Sequence, residues 1–255
     1  MNRLVWLVGV FLWLTAGVLD ARTMRVDDFT AGPLVYNVPA GKHYPTNTQT
    51  PLDAEHVLGG IRISTFFAQT ASGRSTIEVD TTGDGVLRFD GTNDTSFGEG
   101  ISLQYGVSNV LVYPSLDNPL DLNLAPLASG AIELSFLSFE APATTRPLGA
   151  SVTLYSERAD GRGYYSTVRF TTFPSSTTPF KVSFDLADFS GGVPLNDIDG
   201  MFVLIGPSRG ARFVLDSISI VPEPGNMVLG ATVFLLAAAV ERCRTKTKYD
   251  TYPFG

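Results

Sequence analysis

Through the middle of this chain, short runs alternate apolar and polar residues at every second position, and that period limits the folds open to it. Val182, Phe184 and Leu186 alternate with Lys181, Ser183 and Asp185, and Ile132, Leu134 and Phe136 with Glu133 and Ser135. Val152 and Leu154 alternate with Ser151, Thr153 and Tyr155, and Val168 and Phe170 with Thr167, Arg169 and Thr171. Successive side chains of a strand point to opposite faces, so this pattern buries one face and wets the other. Turn clusters separate the runs: Thr82-Gly83-Asp84-Gly85, Asp160-Gly161-Arg162-Gly163, Phe189-Ser190-Gly191-Gly192 and Gly206-Pro207-Ser208-Arg209-Gly210. No helical periodicity of useful length appears between the two ends. The expected class is all-β, an antiparallel β-sandwich or barrel.

The ends behave differently. Residues 4–19 are apolar, follow Met1-Asn2-Arg3, and pass through Ala16, Gly17 and Ala21 to the polar Arg22. A basic start, an apolar middle and a small-residue exit are the parts of a secretory signal peptide. Residues 1–21 are therefore expected to direct export and to be cut by signal peptidase after Ala21; a retained membrane anchor is the alternative. At the other end, Val221-Pro222-Glu223-Pro224 precedes an uncharged run over 225–240, closed by Glu241 and followed by Arg242, Arg244, Lys246 and Lys248. At about 1.5 Å per residue the run spans about 24 Å, against a hydrocarbon core of roughly 30 Å, and snorkelling Arg and Lys side chains cover the difference. Basic residues directly after an apolar run form a positive-inside stop signal. A single transmembrane helix is expected over 226–240, with a buried terminal helix as the alternative and the middle of the chain outside. Pro222 and Pro224 each remove an amide donor, so a strand must end before them and leave an exposed joint.

Pro222-Glu223-Pro224, the apolar stretch and the basic cluster over 242–248 together resemble the PEP-CTERM sorting signal. The resemblance covers about the last 30 residues and implies recognition by an exosortase, a membrane-embedded cysteine transpeptidase-like protease of Gram-negative bacteria. It implies processing near Val221, Pro222, Glu223 and Pro224, with Arg242 and Arg244 in the basic cluster and 249–255 as a short tail. It further implies transient tethering in the inner membrane, then delivery to the cell surface or the exopolysaccharide matrix.

The exported part, residues 22–221, opens with Val26-Asp27-Asp28-Phe29 and closes with Phe213-Val214-Leu215-Asp216-Ser217-Ile218-Ser219-Ile220. Over roughly residues 25–221 this order resembles the jelly-roll sandwich of carbohydrate-binding modules and galactose-binding-like domains, where a last strand carrying an Asp pairs near the first. Leu58-Gly59-Gly60-Ile61-Arg62 is similar to a segment of exported β proteins bearing the same sorting tail. In jelly rolls of this type an acid near the first strand and an Asp of the last strand often share a structural calcium, and the matching positions are Asp27 or Asp28 with Asp216. Strict alternation puts Asp216 on one face with Val214, Ile218 and Ile220, where a buried carboxylate needs compensation. Calcium, which takes about 6–8 oxygens, is one way to supply it; an Arg partner or the capping of a backbone turn is the other.

Charge and composition narrow the chemistry. The chain carries a net charge of -7, and residues 25–224 hold 12 Lys and Arg against 22 Asp and Glu, which disfavours nucleic acid and anionic lipid as partners. One cysteine, Cys243, excludes an internal disulfide, and His43 and His56 are too few for a His-rich metal site. There is no Gly-x-Ser-x-Gly elbow and no phosphate-binding glycine loop, so no enzyme is expected. The acidic stretch Asp80 to Asp90 reads as a hairpin turn, since Thr82 and Gly91 stand where a calcium loop needs acids. Both tryptophans, Trp6 and Trp13, lie in the export segment. Sugar stacking would fall to Tyr155, Tyr164 and Tyr165 around the 158–162 turn, with Tyr105 and Tyr113 as further candidates or core residues. The expected protein is an exported, non-enzymatic surface or matrix component, structural or adhesive in the exopolysaccharide layer. The alternatives are a carbohydrate-binding module with one glycan ligand and a jelly-roll glycan-active enzyme.

Overall fold

The computed structural model describes residues 23–37, 41–43, 46–70, 76–79, 82–91, 99–106, 119–140, 149–157, 163–170, 175–208 and 210–223. The alternating runs are strands. The first seven are β1 (Met24–Asp27), β2 (Leu34–Asn37), β3 (Gly41–His43), β4 (Thr46–Gln49), β5 (Arg62–Thr70), β6 (Thr76–Val79) and β7 (Leu87–Asp90). The rest are β8 (Glu99–Tyr105), β9 (Ala131–Glu140), β10 (Ala150–Glu157), β11 (Gly163–Phe170), β12 (Phe180–Asp185), β13 (Gly200–Ser208) and β14 (Arg212–Val221). Helical structure among the described residues is confined to short 3-10 turns, and none of it is long and apolar enough to cross a membrane. The expected signal segment, transmembrane helix, basic cluster and tail lie outside the described residues, as does Pro224.

Every strand pairing is antiparallel, and the strands form two sheets. The first runs β12-β9-β14-β7-β6-β2, with β1 also on β14; the second runs β11-β10-β13-β8-β5-β3, with β4 also on β5. From β7 onward the chain crosses between sheets at almost every connection, the winding of a jelly roll. First and last strands meet, with Met24 opposite Ile220 and Asp27 opposite Ile218.

The inner faces carry the core. Ile132, Leu134 and Phe136 of β9, Val152 and Leu154 of β10, and Val182 and Phe184 of β12 are all buried, as the alternation requires. Aromatic rings bridge the layers: Phe66 of β5 stacks on Phe89 of β7 at 5.4 Å between centroids, and Phe89 stacks on Phe213 of β14 at 4.9 Å.

Within this core lies an ion pair. β1 bulges between Arg25 and Asp27, and the extra residue lets consecutive side chains, Val26 and Asp27, both turn inward with no exposed surface. Arg62, equally buried, donates from Nε to Asp27 Oδ2 and from Nη2 to Oδ1, each at 2.6 Å. Tyr105 Oη donates to Oδ2 at 2.9 Å and the Phe29 amide to Oδ1 at 2.9 Å. The remaining Arg62 nitrogen donates to the Ala31 carbonyl and to Gln49 Oε1, and the guanidinium lies 5.2 Å from the Phe29 ring centroid. Burial pushes the Asp27 carboxyl up, and four donated hydrogen bonds hold it as the acceptor. Burial also pushes the Tyr105 phenol well above its ordinary value, so it stays a donor. Because β1 belongs to the first sheet and β5 and β8 to the second, the cluster clamps the two layers together.

Removing one partner of such a pair strands the other charge in the core. Arg62→Ala is expected to cost about 3–5 kcal/mol of stability, read as a fall in the urea midpoint. A shift within the scatter of surface substitutions would contradict the clamp.

Candidate functional site

The calcium expectation is corrected by the geometry. Both oxygens of Asp27 are taken by Arg62, so a guanidinium occupies the place of the cation. Asp28 points away from it, to the surface, where its carboxylate meets His56 Nδ1 at 2.8 Å, Arg25 Nη1 at 2.5 Å and the Thr30 hydroxyl at 2.6 Å. Asp216 does not share the inner face. β14 bulges between Leu215 and Ser217, so Phe213 and Leu215 face inward before the bulge, Ile218 and Ile220 after it, and Asp216 stays half-buried beside the Ser217 hydroxyl. No group of three or more His, Cys, Asp or Glu among the described residues is arranged to hold a metal ion. The donor set does not fit calcium. The 82–85 stretch is a hairpin between β6 and β7 as expected, with Asp84 paired to Arg88 and Asp90 to Arg212. His43 ends β3. Of the processing residues, Val221 ends β14, and Pro222 and Glu223 follow outside the ladder, with Glu223 exposed.

The three tyrosines divide between faces. Tyr155 of β10 stands directly opposite Tyr165 of β11, whereas Tyr164 stands opposite the buried Ser156. Tyr155 and Tyr165 therefore share the outer face of the second sheet, and Tyr164 projects to the other side. Adjacent strand residues cannot do otherwise. Tyr165 is 71% exposed, and Tyr155 is half-buried with its ring over Gly163, where a Cβ would come within 2.2 Å of it. Next along the same face, Thr153 and Thr167 share a hydrogen bond at 2.8 Å. The cross-strand row continues from Thr153 to Phe202 of β13 and Gln104 of β8. Gln104 is 2% exposed, and its amide nitrogen makes no hydrogen bond among the described residues. The sequence reading missed Gln104 and Phe202. Their signal was the pairing register, which no single run displays.

The outer face of the first sheet carries a shallow groove of about 320 Å³ between β6, β7, β14 and β9, lined by Glu78, Arg88, Asp90, Glu140 and Arg212. Its cations already have partners, Arg212 on Asp90 at 2.7 Å and Arg88 on Asp84. It presents paired charges with an excess of acid, whereas the second sheet presents aromatic rings and hydroxyls.

No family model and no curated protein matches the chain. Among solved structures, it is similar to the family 11 carbohydrate-binding module from Clostridium thermocellum at 12% identity, over 78% of this chain and 95% of that one, with a TM-score of 0.33. It is also similar to the family 30 carbohydrate-binding module of a Clostridium thermocellum cellulosomal cellulase, at 10% identity over 80% and 99% with a TM-score of 0.35. A xylan-binding module matches at 14% identity over 75% and 97%, with a TM-score of 0.31. Superposition at this level decides nothing about the site, whose reading rests on its own residues.

The Asp28–His56 contact beside β1 has a pH signature. The hydrogen bond to Asp28 lifts the His56 imidazole above its ordinary value of 6.5, so its contribution is complete below that pH and is lost as pH rises through the lifted value. Partial burial pushes the Asp28 carboxyl up, but hydrogen bonds from His56 and Thr30 outweigh it and hold the group below 3.8, so that contribution is lost only in stronger acid. The pair is at full strength between those two values. Urea midpoints of the protein are expected to fall above pH 6.5, and His56→Gln is expected to flatten that limb; an equal fall in the variant would contradict the assignment.

Proposed function

We propose that residues 23–221 are a non-catalytic module that binds extended polysaccharide across the outer face of β11, β10 and β13. The observation that carries this reading is Tyr165, 71% exposed and in register with Tyr155 on a face whose next row holds a paired threonine hydroxyl. An aromatic ring held in water on a flat sheet leaves apolar surface uncovered, and the apolar face of a sugar ring covers it while the tyrosine hydroxyl stays wet. Strand pairing holds the rings in place before a ligand arrives, which lowers the ordering cost of binding. The hydroxyls of Thr153 and Thr167 supply directional contacts beside the rings.

The sorting reading belongs to the same proposal. The export segment, the Pro222-Glu223-Pro224 joint and the apolar run with its basic end support delivery by signal peptidase and an exosortase to the cell surface or the exopolysaccharide layer. A chain whose last strand ends at Val221, with Glu223 exposed directly after it, leaves that joint open to a protease. At the surface the module acts as an adhesive or structural element, holding matrix polysaccharide without cleaving it.

Two experiments test these statements. In affinity electrophoresis against soluble polysaccharides, including the host's own, Tyr165→Ala is expected to weaken binding about tenfold or more with unchanged melting. Val35→Ala, an exposed site on the other sheet, should bind normally, and the bound polysaccharide should keep its length. Binding indifferent to Tyr165 would overturn the site. Deleting residues 222–224 is expected to leave the protein in the inner membrane with its tail intact, and normal surface delivery of that variant would overturn the sorting.

A further inference from the structure

The face that carries Tyr165 ends on an arginine. Tyr165, Thr167 and Arg169 follow one another at every second position of β11, opposite Tyr155, Thr153 and Ser151 of β10, with no bulge in the pairing. The hydrogen bond between the Thr153 and Thr167 hydroxyls places all six on one side. Ser151 and Thr153 stand in turn opposite Leu204 and Phe202 of β13. Between the tyrosines and Arg169 this side therefore holds only uncharged residues, Ser151, Thr153, Thr167, Phe202 and Leu204. Four residues separate Tyr165 from Arg169, about 13 Å at about 3.3 Å per residue.

Among the described residues, Arg25, Arg62, Arg88, Lys181 and Arg212 each meet a carboxylate, on Asp28, Asp27, Asp84, Glu133 and Asp90 respectively. Arg169 is exposed and pairs with no acid among them. The acids of this face stand at its other end. There the Glu157 amide donates to Asp199 Oδ2 at 2.5 Å, and the Asp199 amide donates to the Tyr155 carbonyl at 2.9 Å. Glu157 lies six residues along β10 from Ser151, about 20 Å, more than twice the roughly 8 Å over which charge is felt at physiological salt. Residues 25–224 hold 12 bases against 22 acids, yet this guanidinium is left without one. It presents donors in a planar fork that matches a carboxylate.

We infer that the face takes acidic polysaccharide, with a uronate carboxylate forked on Arg169 while another sugar ring of the same chain stacks on Tyr165. The span between the two contacts exceeds one sugar ring, so the ligand is a chain that lies along β11. The acids beside Tyr155 set its register, because a carboxylate at that end meets charge of its own sign. The net charge of the domain slows encounter with such a chain, and the contact at Arg169 is short-range. The inference rests on the glycan-binding reading of the same face.

Calorimetry of the full chain in detergent at neutral pH tests it with two probes of one linkage and length, galacturonate oligomers and their methyl esters. The free acid is expected to bind about fivefold more tightly than the ester. Arg169→Gln is expected to bring the two affinities together with melting unchanged, and Arg169→Lys, a point charge without the fork, to keep part of the preference. With the host's own polysaccharide as a third probe, reducing its carboxyl groups is expected to weaken binding by a similar factor. Indifference to carboxylate in every probe that binds, or a preference that survives Arg169→Gln, would overturn the inference; binding that still depends on Tyr165 would then leave the glycan reading standing. Failure of all three probes to bind would overturn both.

Discussion

The buried Arg62–Asp27 pair is the constraint on which the rest of the sandwich depends. It joins the first strand of one sheet to the second sheet, and it occupies both carboxylate oxygens of Asp27. A charge pair in a dry core is tolerated only when its remaining donors and acceptors are satisfied, and here Tyr105, Phe29, Ala31 and Gln49 do so. β1 can dock only once β14 exists, because Met24 pairs with Ile220 at the other end of the domain. Such a contact is about as non-local as the chain permits, so closure of the sandwich belongs late in folding.

Much of the fold was legible in the residues. Alternation located β9, β10 and β12 and named their buried faces, and the paired prolines after Val221 marked where the last strand stops. What alternation cannot show is a bulge. One at Val26 turns Asp27 inward, and one at Asp216 keeps that acid out of the core, where counting by twos had placed it. Arg62 stood in plain view within Leu58-Gly59-Gly60-Ile61-Arg62, but its partner lies 35 residues earlier, across the sheets, and no local pattern joins them. Tyr164 and Tyr165 are a different case. Two adjacent strand residues must face opposite ways, so the rule that located β11 already separated them.

The two outer faces show how one architecture divides its work. On the first sheet, charges of opposite sign stand beside one another in pairs, with Arg212 on Asp90 and Arg88 on Asp84. On the second, pairing register lines up two tyrosines, two threonines, Phe202 and Gln104, with acids gathered at the tyrosine end. None of these is remarkable alone in the sequence. The site is a property of register, set by the same core that the ion pair clamps.

The most direct test of the account is a nuclear magnetic resonance titration of the folded protein with the polysaccharide it binds, following tyrosine-ring and threonine-methyl signals. Shifts concentrated on Tyr155, Tyr165, Thr153 and Thr167 are the predicted result. Shifts confined to the groove around Arg88 and Arg212, with the tyrosine face silent, would contradict it.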